Sequence, residues 1–193
     1  MLRHRRPKDQ SPSRLIKGYA GEIAAYAPGP IVDIGCGYGR NAMCVASAGV
    51  PVVCVDNDLI ALAFIGSLPR GAQEGRLTTR AVDLEKQEWP FGIDTLGGII
   101  CVHYVSVVKL VQQFKSSLRA GGYLCIETID GHGGNYLELP PAGFFSAALT
   151  ETFQFLYFDE RRVGPKDSDA VALRLVAKKK PQSDRSAVGA KHS

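Results

Sequence analysis

Two rhythms of apolar and polar positions alternate along this chain. Ile31–Ile34, Pro51–Val55, Thr78–Val82, Gly98–Val102 and Tyr123–Glu127 are short apolar runs of strand length, bounded by turn residues. Between them lie stretches compatible with helix, at 39–48, at 58–68 and at Val105–Leu118; the last sets Val108, Val111, Phe114 and Leu118 on one side. Gly49 reads as a helix C-cap and Pro69 as a break. Ahead of the first strand, Ser13 is placed to cap a helix over 14–27, whose apolar face is Leu15, Ile16, Tyr19, Ala20, Ile23 and Ala24; Pro28-Gly29-Pro30 ends it. Gly121-Gly122 turns the chain into the fifth strand. After that strand the period is lost. Residues 130–142 hold three glycines and two prolines, a short helix is expected near 142–149, and Phe153–Glu160 and Ala170–Ala177 read as two strands. The short link between those strands, through Gly164-Pro165, predicts an antiparallel pair. The whole pattern predicts an α/β domain: a seven-stranded, mostly parallel, doubly wound sheet closed by a C-terminal antiparallel hairpin.

Length and composition agree with one soluble globular domain: 193 residues, 45% hydrophobic and 22% charged. No apolar run approaches the ~20 residues of a membrane span, and the basic N-terminus is not followed by a signal-peptide apolar region. The formal charge of +4 is unevenly spread. Residues 1–14 and 178–193 each carry five basic groups against one acid, which leaves the body mildly acidic. The expected organisation is a flexible basic arm at 1–12, a domain at 13–177, and a disordered basic tail at 178–193. Five cysteines, an odd number with no C-x-x-C pair, fit a reducing, cytoplasmic setting without structural disulfides. The four histidines show no ligand spacing, so no metal site is expected.

The chemistry concentrates in I-V-D-I-G-C-G-Y-G-R-N, Ile31 to Asn41. A strand runs into a turn with Gly35, Gly37 and Gly39 at every second position, and a helix follows. Such a turn brings bare backbone and a helix N-terminus against a ligand. The dinucleotide pattern G-x-G-x-x-G would need glycine at position 40, where this chain has Arg40. The second strand ends in Asp56, roughly 20 residues past the turn, where doubly wound folds place the carboxylate that binds ribose hydroxyls.

The D-x-G-x-G-x-G turn with Asp56 resembles the class I S-adenosylmethionine (SAM)-dependent methyltransferases over residues 30–177, and G-C-G-Y-G-R-N resembles their tellurite-resistance-type members. The resemblance implies a Rossmann-like methyltransferase fold, SAM as cofactor and S-adenosylhomocysteine as product. By it, Gly35, Gly37 and Gly39 let the backbone approach the methionine moiety, Cys36 and Asn41 are further cofactor-binding residues, and Asp33 either fixes the loop or reaches the cofactor's amino group. Asp56 accepts from the ribose hydroxyls, Asn57 borders the adenine, Asp83 accepts from the adenine amino group and Leu84 packs on the ring. Val102 ends the fourth strand beside the cofactor, and Asp94, before that strand, is structural.

His103 and Tyr104 follow the fourth strand, and Glu127 and Thr128 end the fifth, all at the edge where open α/β sheets bind ligands. His103, Tyr104 and Glu127 are the catalytic candidates. His103 either takes a proton from the acceptor or only hydrogen-bonds backbone; Glu127 acts as a base, binds substrate or caps a turn. Residues 130–142 would cover this edge, with His132, Asn135, Tyr136 and Glu138 as contacts. His103-Tyr104 stands where amino-methylating DNA enzymes resemble one another in an acid or asparagine followed by Pro-Pro and an aromatic. No Pro-Cys pair supplies the nucleophile of cytosine-ring enzymes. These absences argue against nucleic acid and for a small-molecule acceptor. The alternatives are an RNA or protein methyltransferase that docks through basic tails and, from another class, a nicotinamide-dependent oxidoreductase or a silent nucleotide-binding module.

Overall fold

The computed structural model describes residues 11–68, 76–129 and 133–181. Helix α1 (Arg14–Tyr26) precedes β1 (Ile31–Ile34), α2 (Arg40–Ser47), β2 (Val52–Asp56), α3 (Leu59–Gly66) and β3 (Leu77–Ala81). There follow β4 (Leu96–Val102), α4 (Val111–Ser117), β5 (Leu118–Glu127), α5 (Phe144–Leu149), β6 (Phe153–Arg162) and β7 (Val171–Lys179). The strands form one sheet in the order β3-β2-β1-β4-β5-β7-β6. β1 to β5 run parallel, and β7 lies antiparallel between β5 and β6, so the expected terminal hairpin is present.

Each face of the sheet carries its own core. On one side Ile16 and Ile23 of α1, Val45 of α2 and Ile65 of α3 pack on Ile31, Ile100 and Cys125. On the other, Phe114 of α4 and Phe145 and Leu149 of α5 pack on Ile34, Ile99, Leu124 and Leu175. A parallel strand buried on both faces must be apolar throughout, as β4 is, with all seven residues buried. Local chemistry starts two of the helices. Ser13 Oγ accepts from the N–H groups of Leu15 and Ile16 at the head of α1, and Asp58 caps α3 in the same way through Ile60 and Ala61.

Three expectations need correction. The helix expected over Val105–Leu118 is a 3-10 turn at Val107–Leu110 followed by the short α4. Valines at 105, 107, 108 and 111 weaken helix formation at its start. Leu118 pairs with Leu96, so it belongs to β5, and the register then jumps across the Gly121-Gly122 bulge to Gly98 opposite Tyr123. Lys178 and Lys179, expected in the tail, lie in β7. Lys179 is buried and donates to Asp94 Oδ1 (3.0 Å) and to the carbonyl of Leu118, which tethers the end of the sheet. Residues 1–10 of the arm, Pro69, His132 and residues 182–193 of the tail lie outside the described residues. All five cysteines are free. Among the described residues no helix is long and apolar enough to cross a membrane.

Candidate functional site

The strand order reverses between β1 and β4, and the tips of these strands flank the crevice. β1 delivers the glycine turn there. Gly37 takes φ +51, and a Cβ added to it would meet nothing within 4 Å, so this backbone faces open space. At Gly35, φ is +64 and a Cβ would stand 2.8 Å from Tyr104 Cδ2, so an aromatic ring already covers that position. Glycine is required at the first for its backbone, and at the second for backbone and contact alike.

Two aspartates hold the turn. Asp33 is 1% exposed, and its Oδ2 accepts from the Ala42 N–H at 3.0 Å, inside the first turn of α2. Burial pushes its carboxyl up to about 7, against the opposing pull of the Ala42 N–H and the Arg40 charge; Asp56 adds to the rise. Of the two roles expected for Asp33, loop fixing is the one its bonding performs. Asp56 Oδ2 accepts from the Gly37 N–H at 2.7 Å and Oδ1 from the Asp58 N–H at 2.9 Å. It thus ties the turn to the start of α3. Each of its oxygens retains a further lone-pair site for another donor.

The other cofactor candidates gather around this pair. Cys36 and Val102 are buried, Cys36 against Cys54. Asn57 is exposed and interacts with Asp83. Asp83 pairs with Lys86 at 2.9 Å and accepts from the Glu85 N–H; Lys86 holds its carboxyl below the usual range. Leu84 is half-buried against the core. Asn41 Oδ1 accepts from the Ser13 N–H at 2.9 Å and so holds the head of α1 beside the turn.

The three catalytic candidates meet at the tips of β4 and β5. His103 adopts φ +59, and its backbone N–H donates to the Glu127 carbonyl at 2.7 Å. That conformation returns its ring toward Glu127, with Nε2 3.7 Å from Oε1, while Nδ1 lies 3.5 Å from the Arg40 guanidinium. Glu127 Oε2 also accepts from Ser13 Oγ at 2.5 Å, and Arg174 approaches Oε1 at 3.9 Å. Burial opposes ionisation of Glu127, but the nearby His103 ring, the hydrogen bond from Ser13 and the Arg174 charge outweigh it and hold the carboxyl below its ordinary value. Tyr104 donates to Glu85 Oε1 at 3.1 Å, and burial, reinforced by Glu85, pushes its hydroxyl up.

Beside His103 and Tyr104 lies a narrow cleft, lined also by Val107, Thr128, Glu138 and Pro140. The cover expected from 130–142 is in part a docked segment. Gly133–Glu138 forms a 3-10 turn, Pro141 bridges to Ala170, and the Val171 N–H donates to the Pro140 carbonyl. Glu138 lines the cleft, Tyr136 instead packs against Gly164, and Asn135 is exposed. Ser13, Arg40 and Arg174 join the site without having been read from the sequence as site residues. Their only signals there were a helix cap, a position after the last glycine and a strand position.

The comparisons with known proteins agree with this fold. No curated protein matches the chain. TehB from Haemophilus influenzae superposes with a TM-score of 0.61 at 18% identity, over 84% of this chain and 62% of that one. A SAM-dependent methyltransferase from Methanosarcina mazei gives 0.59 at 17% identity over 83% and 98%. A geranyl diphosphate methyltransferase, solved in complex with SAM, gives 0.62 at 13% over 84% and 85%. The fold is that of the class I methyltransferases. The model of the family described as tellurite resistance protein TehB matches residues 19–154, most of the chain, and the protein belongs to that family.

Proposed function

We propose that this protein is a cytoplasmic enzyme that moves a methyl group from SAM to a small-molecule acceptor. The observation that carries the reading is the bonded junction of Asp56 with Gly37, which sets a carboxylate and an open glycine backbone side by side at the switch point of the sheet. Arg40, where a dinucleotide turn would have its third glycine, speaks against a nicotinamide cofactor.

Bound SAM would supply a methyl group on a sulfonium, from which the neutral thioether S-adenosylhomocysteine is a good leaving group. The chain's own task is to hold the acceptor in line and to exclude water, and positioning of this kind supplies up to ~10 kcal/mol. In this reading Asp56 accepts from the ribose hydroxyls, and Asn57, Asp83 and Leu84 border the adenine. Gly37 offers open backbone to the methionine part, Gly35 and Gly39 hold the positive-φ turn under Tyr104 and Ile65, and Cys36 and Val102 are further residues of this cofactor site. The acceptor enters the cleft beside His103 and Tyr104. His103, oriented by Glu127, takes the proton of an acceptor that arrives protonated. An acceptor that arrives as a soft anion needs no base.

Calorimetry tests the cofactor half: S-adenosylhomocysteine should bind and NAD should not. A panel of thiols, phenols, amines and chalcogen oxyanions, read by release of S-adenosylhomocysteine, tests the acceptor half. Turnover confined to RNA or protein, with binding that weakens steeply with salt, would reject the small-molecule assignment.

A further inference from the structure

Ser13 lies where the head of α1 meets the ligand edge, and its polar atoms are all engaged. The backbone N–H donates to Asn41 Oδ1 at 2.9 Å, and the carbonyl accepts from the Lys17 N–H at 2.8 Å. Oγ accepts from the N–H groups of Leu15 (3.1 Å) and Ile16 (3.5 Å) and donates to Glu127 Oε2. The residue is 7% exposed. A serine hydroxyl has one proton and two lone-pair sites. With two helix N–H groups on the acceptor side, the proton is directed to Glu127. Asn41 stands two residues past the last glycine of the turn, and Glu127 ends β5. One serine therefore connects the cofactor turn, the first helix and the acceptor edge.

We infer that Ser13 is a positioning residue of the methyl-transfer site, which fixes the Glu127 carboxylate at the head of α1 so that Glu127 can orient His103. The inference rests on the methyltransferase reading above. The groups facing Glu127 are His103 from the tip of β4, Arg174 from β7 and Ser13 from α1, and Arg40 of α2 reaches the same cluster through His103. Arg174 is about half exposed, at 49%, and is free to follow Glu127 outward. Ser13 is the neutral, buried partner that holds Oε2 inward while His103 lies against Oε1. The partial positive charge at the N-terminus of a 13-residue helix adds to this preference for an anion.

A helix cap alone would give Ser13 a different signature. Glycine is nearly as good as serine at an N-cap but has no hydroxyl to donate, whereas threonine caps and donates. The experiment compares the full-length wild type with Ser13→Gly and Ser13→Thr. The Glu127 side-chain carboxyl is titrated by carbon-13 NMR, assigned with Glu127→Gln. Hydrogen exchange of the first turn of α1 and calorimetry with S-adenosylhomocysteine accompany it. In Ser13→Gly the Glu127 midpoint should move up by about one pH unit, the size of a lost hydrogen bond to a charged group, while first-turn protection falls only a few-fold. Ser13→Thr should titrate as wild type. A Glu127 midpoint unmoved in Ser13→Gly, or moved equally in Ser13→Thr, would overturn the assignment. Wild type that fails to bind S-adenosylhomocysteine would instead reject the methyltransferase reading on which the inference rests.

Discussion

Replacing Asp33 with asparagine should make this protein's stability less sensitive to pH between 4 and 7. Asp33 is buried beneath the glycine turn, and burial pushes its carboxyl from 3.8 up to about 7. The folded chain therefore holds a proton here that the unfolded chain releases. The sign follows from linkage: stability falls with pH wherever the native state binds more protons than the unfolded one. The contribution of Asp33 is fully present below about pH 3.8 and is lost as the pH rises through that value to about 7. Roughly three pH units at about 1.4 kcal/mol each put the loss on the order of 4 kcal/mol. Asparagine keeps an oxygen for the Ala42 N–H but cannot ionise. Its amide brings a fixed offset, since a new N–H group must find a partner, and that offset does not depend on pH. Urea unfolding of both proteins, followed by fluorescence of the single tryptophan, Trp89, packed on Phe114, gives the free-energy difference at each pH. The difference should shift in favour of Asp33→Asn by several kcal/mol from pH 4 to pH 7.5, then level off. A difference flat to about 0.5 kcal/mol across that range would mean that Asp33 ionises in the fold as readily as in the open chain, and the burial argument would fail.

Asp56→Ala removes the acceptor for the Gly37 and Asp58 N–H groups and should weaken S-adenosylhomocysteine binding by about 1.5–3 kcal/mol by calorimetry. Asp94→Asn keeps a side chain that tolerates the positive φ of 49° but leaves buried Lys179 without its anionic partner; urea unfolding should show a loss of roughly 1–3 kcal/mol. His103→Asn, also tolerant of positive φ, should leave S-adenosylhomocysteine affinity within a few-fold and lower turnover only for acceptors protonated at the assay pH, as a pH–rate series would show. Deleting residues 1–10 and 182–193 should leave cofactor binding unchanged by calorimetry; the cut stops at Ser11, whose carbonyl accepts from Arg40 at 2.9 Å.

What the sequence determined by itself is what acts over short distances. The alternation of apolar strands with helical stretches predicts the element order, because period and burial are printed in neighbouring residues. The glycine turn and Asp56 are legible for the same reason: a turn conformation and a strand tip are local properties. The sequence predicts a helix over Val105–Leu118 because its apolar spacing is visible there, while the pairing of Leu118 with Leu96 of β4 is not. Tertiary structure decided the rest. Gly97 falls just ahead of the run read as the fourth strand, and only the fold shows why it is glycine: a Cβ there would lie 2.4 Å from the backbone of Gly29, which crosses it. Lys179 reads in the sequence as part of a basic tail, and only the sheet brings Asp94 and the Leu118 carbonyl to it. Ser13 and Glu127 are 114 positions apart and joined by a hydrogen bond. Such contacts leave no periodic trace, because sheet order and register bring their partners together, and those are set by the burial of two whole faces rather than by any one segment.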